Sequence, residues 1–299
     1  MTSLPIQSRT RALRPSRRSF KVVDIFIYIL LIIVVAITLY PVLWMMISSF
    51  RGSEEIAAAP LGLHLHTLTL NNYSVLLSSV PMGLGFQNTL IVLIFKGGLT
   101  LFFCPLAGFA FAKFRFRGRN VLFALVLATL TVPLVVTLIP LLLEMGTLNW
   151  VDTYQGLIFP GAISAFYIFW MRQQIAEVPD ELLDAAKIDG CSAFGMFWRI
   201  VVPIIRPAMA ALAILTFLDI YNDYVWPLIV TSSTQMQTLQ VMLSTLEAAI
   251  NNAQPGMSGH SVWGEILAGT TLATIPVLIL FLVMQRQFIR GILSGGLKG

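Results

Sequence analysis

Residues 178–207 read VPDELLDAAKIDGCSAFGMFWRIVVPIIRP, and this stretch differs in character from the sequence around it. Pro179 followed by Asp180 and Glu181 predicts a helix start, because proline fits the first turn and acidic side chains favour the positive end of the helix dipole. Gly190 predicts where that helix stops. The stretch is therefore expected to form a short, capped helix inside a polar loop.

This predicted helix has one small apolar face. Leu182, Ala185 and Ala186 are spaced at i, i+3 and i+4, and they are set against a polar face of Glu181, Asp184 and Lys187. A helix lying on lipid headgroups is one interpretation, but alanines offer little area to lipid and suit close docking into a groove of another protein. The spacing favours docking.

A second short helix is expected directly after the first. Ser192 can cap it, and Pro203 and Pro207 end it. An apolar stripe at helical spacing lies between them, formed by Phe194, Phe197, Trp198 and Val201. The loop is thus predicted to hold two short helices rigidly joined to their neighbours.

The sequence on both sides of this loop is strongly apolar. Hydrophobic residues make up 57% of the 299 residues, charged residues only 11%, and the mean hydropathy is +0.83, which excludes an ordinary soluble domain. About 20 apolar residues of helix cross a bilayer. The sequence predicts an all-α membrane protein with six transmembrane helices, at 25–49, 86–112, 121–143, 154–171, 207–230 and 266–284.

Lysine and arginine are concentrated in alternate links, which predicts the orientation. Four basic segments are expected to face the cytoplasm: the tail 1–21, the link around residues 113–119, the loop 177–206 and the tail 291–299. The permease domain is expected at 22–290, so it contains the link and the loop and lies between the two tails. Both termini are then cytoplasmic. The formal net charge of +5 is explained by the anionic membrane surface, and no nucleic-acid partner is expected.

The same loop carries a family pattern. Asp184, Ala185 and Ala186, then Gly190, Ile200 and Pro203, resemble the EAA motif of importer permeases of the ATP-binding-cassette class, with aspartate at the position of the motif's leading glutamate. Three further segments are similar to the carbohydrate-uptake branch that includes the maltose-type permeases: AGFAFAKFRFRGRN (107–120), NDYVWPL (222–228) and QRQFIRGILSGGLKG (285–299).

The resemblance implies a type I importer fold, a bacterial cytoplasmic (inner) membrane as the location, and separate subunits for transport and for ATP hydrolysis. The helix 179–189 would be a coupling helix in a cleft of a separate ATPase. Its contact residues would be Glu181, Asp184, Ala185, Ala186, Asp189, Gly190 and Pro203. The implied partners are two copies of that ATPase, a second homologous permease and an extracellular solute-binding protein. ATP and Mg would bind the ATPase, since this sequence contains no P-loop motif and no cofactor is expected on it.

Polar residues within the predicted spans are candidates for a substrate pathway. Asp219, Asn222, Asp223 and Trp226 follow i, i+3, i+4 and i+7 spacing, which suits a wall facing sugar hydroxyls and a ring. A structural network, with Lys96 as counter-ion to one of the aspartates, is an equally open interpretation. Asn88 could extend the wall, although a capping role is favoured.

Other functions are less well supported. A sugar or polyol substrate is expected, and the same importer class acting on glycerol phosphate or glycerophosphodiesters is the alternative. A self-sufficient secondary transporter would favour inverted repeats and broken helices in both halves. An enzyme lacks the motifs for a nucleophile and base, and His64, His66 and His260 are too isolated to predict a metal site.

Overall fold

The structure is a computed structural model that describes residues 22–59, 61–62, 68–251 and 262–296. The described residues form helices and no strands. The first seven helices are α1 (Val22–Ser48), α2 (Ser53–Ala58), α3 (Asn71–Ser79), α4 (Met82–Lys113), α5 (Arg119–Ala128), α6 (Leu134–Thr147) and α7 (Tyr154–Ile158). The remaining helices are α8 (Ala165–Ala176), α9 (Asp180–Ile188), α10 (Ala193–Met196), α11 (Val202–Ile204), α12 (Arg206–Tyr221), α13 (Val225–Val230), α14 (Leu239–Asn251) and α15 (Val262–Gly296).

Three helices of the described chain are long and apolar enough to cross a membrane: α1, α4 and α15. Two bent pairs raise the number to five if each pair is one span. In one pair 119–131 meets 134–147 at 103°, and in the other 193–204 meets 206–221 at 85°. The prediction of an all-helical membrane protein is confirmed, and the count of six spans stays a prediction.

The predicted fourth span, 154–171, is not one helix. It contains α7, a non-helical break at 159–164 and the first part of α8. Pro160 lacks the N–H that a helix needs, and Gly161 takes a left-handed conformation with φ of +72°. Thr100 Oγ1 lies 2.7 Å from the carbonyl oxygen of Ala162, so a side chain satisfies part of the broken backbone.

The predicted fifth span is also interrupted. α12 ends at Tyr221, three residues separate it from α13, and Pro227 lies in the first turn of α13. A proline ring clashes with the carbonyl four residues earlier in a continuous helix, and here that carbonyl belongs to Asp223. The expectation that Asp219, Asn222, Asp223 and Trp226 share one helical face is therefore wrong.

Helix α4 is the centre of the fold, and it packs against α8 and α12. A Cβ at Gly108 would lie 2.9 Å from the backbone nitrogen of Arg172, so glycine allows the close approach of α4 to α8. One buried apolar cluster joins the end of α4 to α8 and to the 178–205 region, through residues that include Phe109, Met171, Val178 and Phe197.

Several predictions lie outside the described residues. These are the basic tail 1–21, the three histidines His64, His66 and His260, and the last three residues 297–299. Within the predicted tail 291–299, α15 continues as helix to Gly296.

Candidate coupling loop and membrane cavity

The C-terminal end of helix α9 is capped at the position that the sequence predicts. The N–H of Gly190 donates to the carbonyl of Lys187 at 3.0 Å, and the N–H of Cys191 donates to the carbonyl of Ala186 at 2.9 Å. These two bonds form a Schellman motif, which requires a left-handed residue, and Gly190 has φ of +76°. Asp189 occupies the C-cap position. The helix is therefore short and sharply bounded.

The two sides of α9 differ from the predicted faces. Leu183 and Ala186 are buried in the apolar cluster with α4 and α8, whereas Leu182, Ala185 and Ile188 are exposed. Ala186 therefore does not share the outer face with Ala185, because the chain's own core takes the side that contains Leu183. Ile188 is 87% exposed, so the outward face carries apolar surface that the described residues do not cover.

Lys113, at the end of α4, holds the start of α9. Its Nζ donates to two backbone carbonyls, those of Val178 and of Ala176, the latter at 3.2 Å. The same Nζ also donates to Oδ1 of Asp180 at 2.7 Å. The hydrogen bond and the charge of Lys113 lower the pKa of the Asp180 carboxyl. Sequence reasoning used Lys113 only to orient the chain, since nothing local links position 113 to position 180.

The remaining predicted contact residues lie around α9. Glu181 is exposed in its first turn, and Asp184 forms an exposed ion pair with Lys187 at 2.8 Å, which contributes little to stability. Ser192 caps the next helix as predicted, because its hydroxyl accepts from the N–H of Gly195 at 3.1 Å. That helix continues through a π segment at Phe197–Val201 into α11, which contains Pro203.

A polar cavity of about 570 Å³ lies among α4, α6, α8, α12 and α13. The break at 159–164 contributes Pro160, Gly161 and Ser164 to its wall. Three of the five predicted pathway residues, Asp219, Asp223 and Trp226, line the cavity although they do not share a helix face. The helix breaks bring them together, because each break exposes a turn of backbone and side chains to the same space.

The charged groups of the cavity are held in a defined arrangement. Nζ of Lys96 lies 3.8 Å from Oδ2 of Asp223, and the Tyr167 hydroxyl donates to Oδ2 of Asp219. The Trp226 indole N–H donates to the carbonyl of Gly156 at 2.8 Å, which fixes the ring at the cavity wall. Lys96 is the counter-ion of Asp223, which decides between the two partners that the sequence left open.

The other two pathway candidates are placed elsewhere. Asn222 is exposed, and its Nδ2 donates back to the carbonyl of Leu218 at 2.9 Å. Asn88 is fully buried, and its Nδ2 donates to the carbonyls of Gln235 and Gln237 at 2.8 Å each, while its Oδ1 accepts from Tyr154 at 2.7 Å. The Asn88 amide thus clasps a loop against α4, and it is not the helix cap that the sequence favoured, because α4 begins six residues earlier at Met82.

Asp152 forms a second clasp beside the first. Its Oδ1 accepts from the N–H groups of Ser232 and Ser233 at 2.9 and 3.0 Å. Sequence reasoning missed Asp152 and Tyr154, because their partners are more than sixty residues away along the chain. Both clasps lie near the start of α4, at the end of that helix far from Lys113.

Apolar helices around a polar cavity, with a capped loop fixed to the same bundle, define a membrane transport subunit. Residues 105–294 match the family of binding-protein-dependent transport system inner membrane components, and this chain belongs to that family. It is therefore a transport subunit and not an enzyme.

Curated relatives resemble nearly the whole chain. It is 36% identical to the arabinooligosaccharides transport system permease protein AraQ of Bacillus subtilis (strain 168), over 87% of this chain and 91% of that protein. It is 33% identical to the lactose transport system permease protein LacG of Rhizobium radiobacter, over 91% and 95%. It is also 33% identical to the sn-glycerol-3-phosphate transport system permease protein UgpE of Yersinia pestis, over 91% and 96%.

A solved structure shares the fold. A chain of a bacterial ABC transporter involved in the import of the acidic polysaccharide alginate superposes with a TM-score of 0.76, covering 95% of this chain and 99% of that one at 24% identity. The superposition supports the predicted permease fold for this chain.

Proposed function

We propose that this chain is the permease subunit of an ATP-binding-cassette importer that moves a sugar across the bacterial cytoplasmic membrane. The main support for the proposal is the exposed apolar surface of α9, a helix that packs against the bundle. Leu182 and Ile188 face outward from α9, while Leu183 and Ala186 on its other side are locked into the core. A partner that grips the outer face would move the bundle with it.

Helix α4 supplies a mechanical path between loop and cavity. Lys96 lines the cavity and Lys113 anchors α9, and the separation of 17 positions along α4 corresponds to about 25 Å of helix. Displacement of α9 by closing ATPase subunits would therefore be transmitted to the cavity wall along one helix. Glu181, Asp184, Ala185, Asp189 and Gly190 are the proposed ATPase contacts, with Ala186 and Pro203 supporting them from within the loop.

The proposed assembly contains two ATPase copies, which bind ATP and Mg, a second permease and a solute-binding protein that delivers the sugar. The proposed topology keeps six crossings, with both termini and the α9 loop on the cytoplasmic side. In this topology the broken α7 to α8 segment is the fourth crossing, with α4 packed against both α7 and α8 and α5 packed against α8.

A sugar is favoured over the alternative substrate, a glycerol phosphate. AraQ and LacG are named for oligosaccharide and lactose transport, and UgpE is named for sn-glycerol-3-phosphate. The cavity of this chain offers two carboxylates, two aromatic side chains and one ammonium group. Carboxylates and aromatic rings suit hydroxyls and sugar rings, whereas a phosphate prefers arginine.

The proposal is tested by gentle purification of the tagged chain from its native membrane, followed by mass spectrometry of co-purifying proteins. We expect an ATP-binding-cassette ATPase and a second permease in fixed ratio. Ala185→Glu is the matched variant, because it places a charge on the outer face of α9 and should release the ATPase while the second permease remains. Recovery of the chain alone, active in transport, would instead establish a secondary transporter.

A further inference from the structure

The cavity holds an unequal set of charges, with one ammonium group and two carboxylates. Lys96 is only 9% exposed, and Asp223 lies beside it at 3.8 Å. Asp219 has no ion-pair partner at such a distance in the described chain. Its one hydrogen bond there comes from the neutral hydroxyl of Tyr167. Among the described residues, one carboxylate therefore has no cation of its own within ion-pair distance.

The geometry points to a specificity role for this imbalance. We propose that Asp219 makes the cavity a charge filter, which admits neutral sugars and excludes anionic ones such as uronates and sugar phosphates. The inference rests on the proposed function, because it assigns the substrate class of the same cavity. Asp219 acts through its charge, while Tyr167 fixes the position of its Oδ2 and leaves Oδ1 to accept from a sugar hydroxyl.

Lys96 defines the other half of the filter. Its ammonium lies beyond hydrogen-bonding distance of Asp223, and a Cβ at Gly161 would lie 3.8 Å from Nζ. The absence of a side chain at position 161 keeps space open over the ammonium. With the charge of Lys96 opposed by Asp223, the described lining offers an entering anion no uncompensated cation, whereas it does present the Asp219 carboxylate.

The filter is tested on the complex purified through a tag on this chain and placed in nanodiscs. Saturation-transfer NMR compares two probes that differ only at C6, α-1,4-linked galactotriose and trigalacturonate. The wild type should prefer galactotriose, and Asp219→Asn should reduce that preference about tenfold or more, since one unit charge is removed from a low-dielectric site. Lys96→Met should strengthen the preference.

Tyr167→Phe is the control, because it removes the hydrogen bond and leaves the net charge unchanged. We expect it to weaken the binding of both probes by the same factor, so that the ratio of the two affinities stays that of the wild type. An unchanged preference in Asp219→Asn, or an equal change in Tyr167→Phe, would overturn the filter. Absence of binding of both probes to the wild type would reject the sugar pathway itself, whereas equal binding of both would reject only the filter.

Discussion

The α9 loop and the membrane cavity reach their geometry by different routes. The loop is shaped by neighbours in sequence: an acidic first turn, Gly190 at the stop and Ser192 at the next cap. The cavity is assembled from α4, α6, α8, α12 and α13, and two helix breaks aim its side chains inward. A compact local motif thus forms the proposed partner contact, while segments distant in sequence together form the proposed substrate cavity.

The two regions also use glycine differently. A Cβ at Gly156 would lie 2.2 Å from the backbone oxygen of Trp150, whereas a Cβ at Gly190 would meet nothing within 4 Å. Gly156 is needed for close packing beside the cavity, and Gly190 is needed only for its left-handed φ. The cavity region should therefore be the more sensitive to added volume.

The largest expected effect sharpens this contrast. Gly156→Ala should destabilise the protein by about 3 kcal/mol or more, because a backbone carbonyl must move to make room. Gly190→Ala should cost roughly 1 kcal/mol, the price of a left-handed alanine. Apparent melting temperatures in detergent compare the two variants. Equal melting temperatures would contradict the packing argument.

A second pair of variants separates folding from coupling within the loop. Ala186→Glu should destabilise the protein by roughly 3–5 kcal/mol, because it buries an unpaired charge in the α4 and α8 core. Ala185→Glu should leave the melting temperature within about 1 °C of wild type, since its side chain is exposed. Uptake of labelled sugar in cells should nevertheless fall about tenfold or more in Ala185→Glu. Normal uptake in Ala185→Glu would remove the outer face of α9 from the coupling interface.

The same contrast explains what the sequence could predict. Apolar runs and caps are local signals, so the spans at α1, α4 and α15, the bounds of α9 and the Ser192 cap followed from them. Which side of α9 is buried depends on where α4 and α8 pack, and no local spacing contains that information. Ala186 was therefore placed on the wrong face.

The cavity was predictable in composition but not in arrangement. Asp219, Asp223 and Trp226 stood out because polar groups inside apolar spans are rare. Helical spacing groups Asn222 with them, but the break between α12 and α13 before Pro227 leaves Asn222 outside the cavity lining. Tyr167 and Gly161 were missed because an isolated tyrosine or glycine in an apolar segment carries no signal until its neighbours in space are known.

The smallest expected effect concerns the joint between the two regions, where Lys113 meets Asp180. The pKa of Asp180 is lowered in the folded protein, so its charged form stabilises the fold above the ordinary carboxyl pKa near 4, and this contribution disappears as the pH falls through the lowered value. The melting temperature of Asp180→Asn should therefore be slightly below that of wild type at pH 7 and equal to it near pH 2. Lys113→Met should melt lower than Asp180→Asn at pH 7, because it also removes the bonds to Ala176 and Val178. If the melting temperatures of wild type and Asp180→Asn still differed by the same amount in acid, the charge of the Asp180 carboxylate would not be what Lys113 recognises.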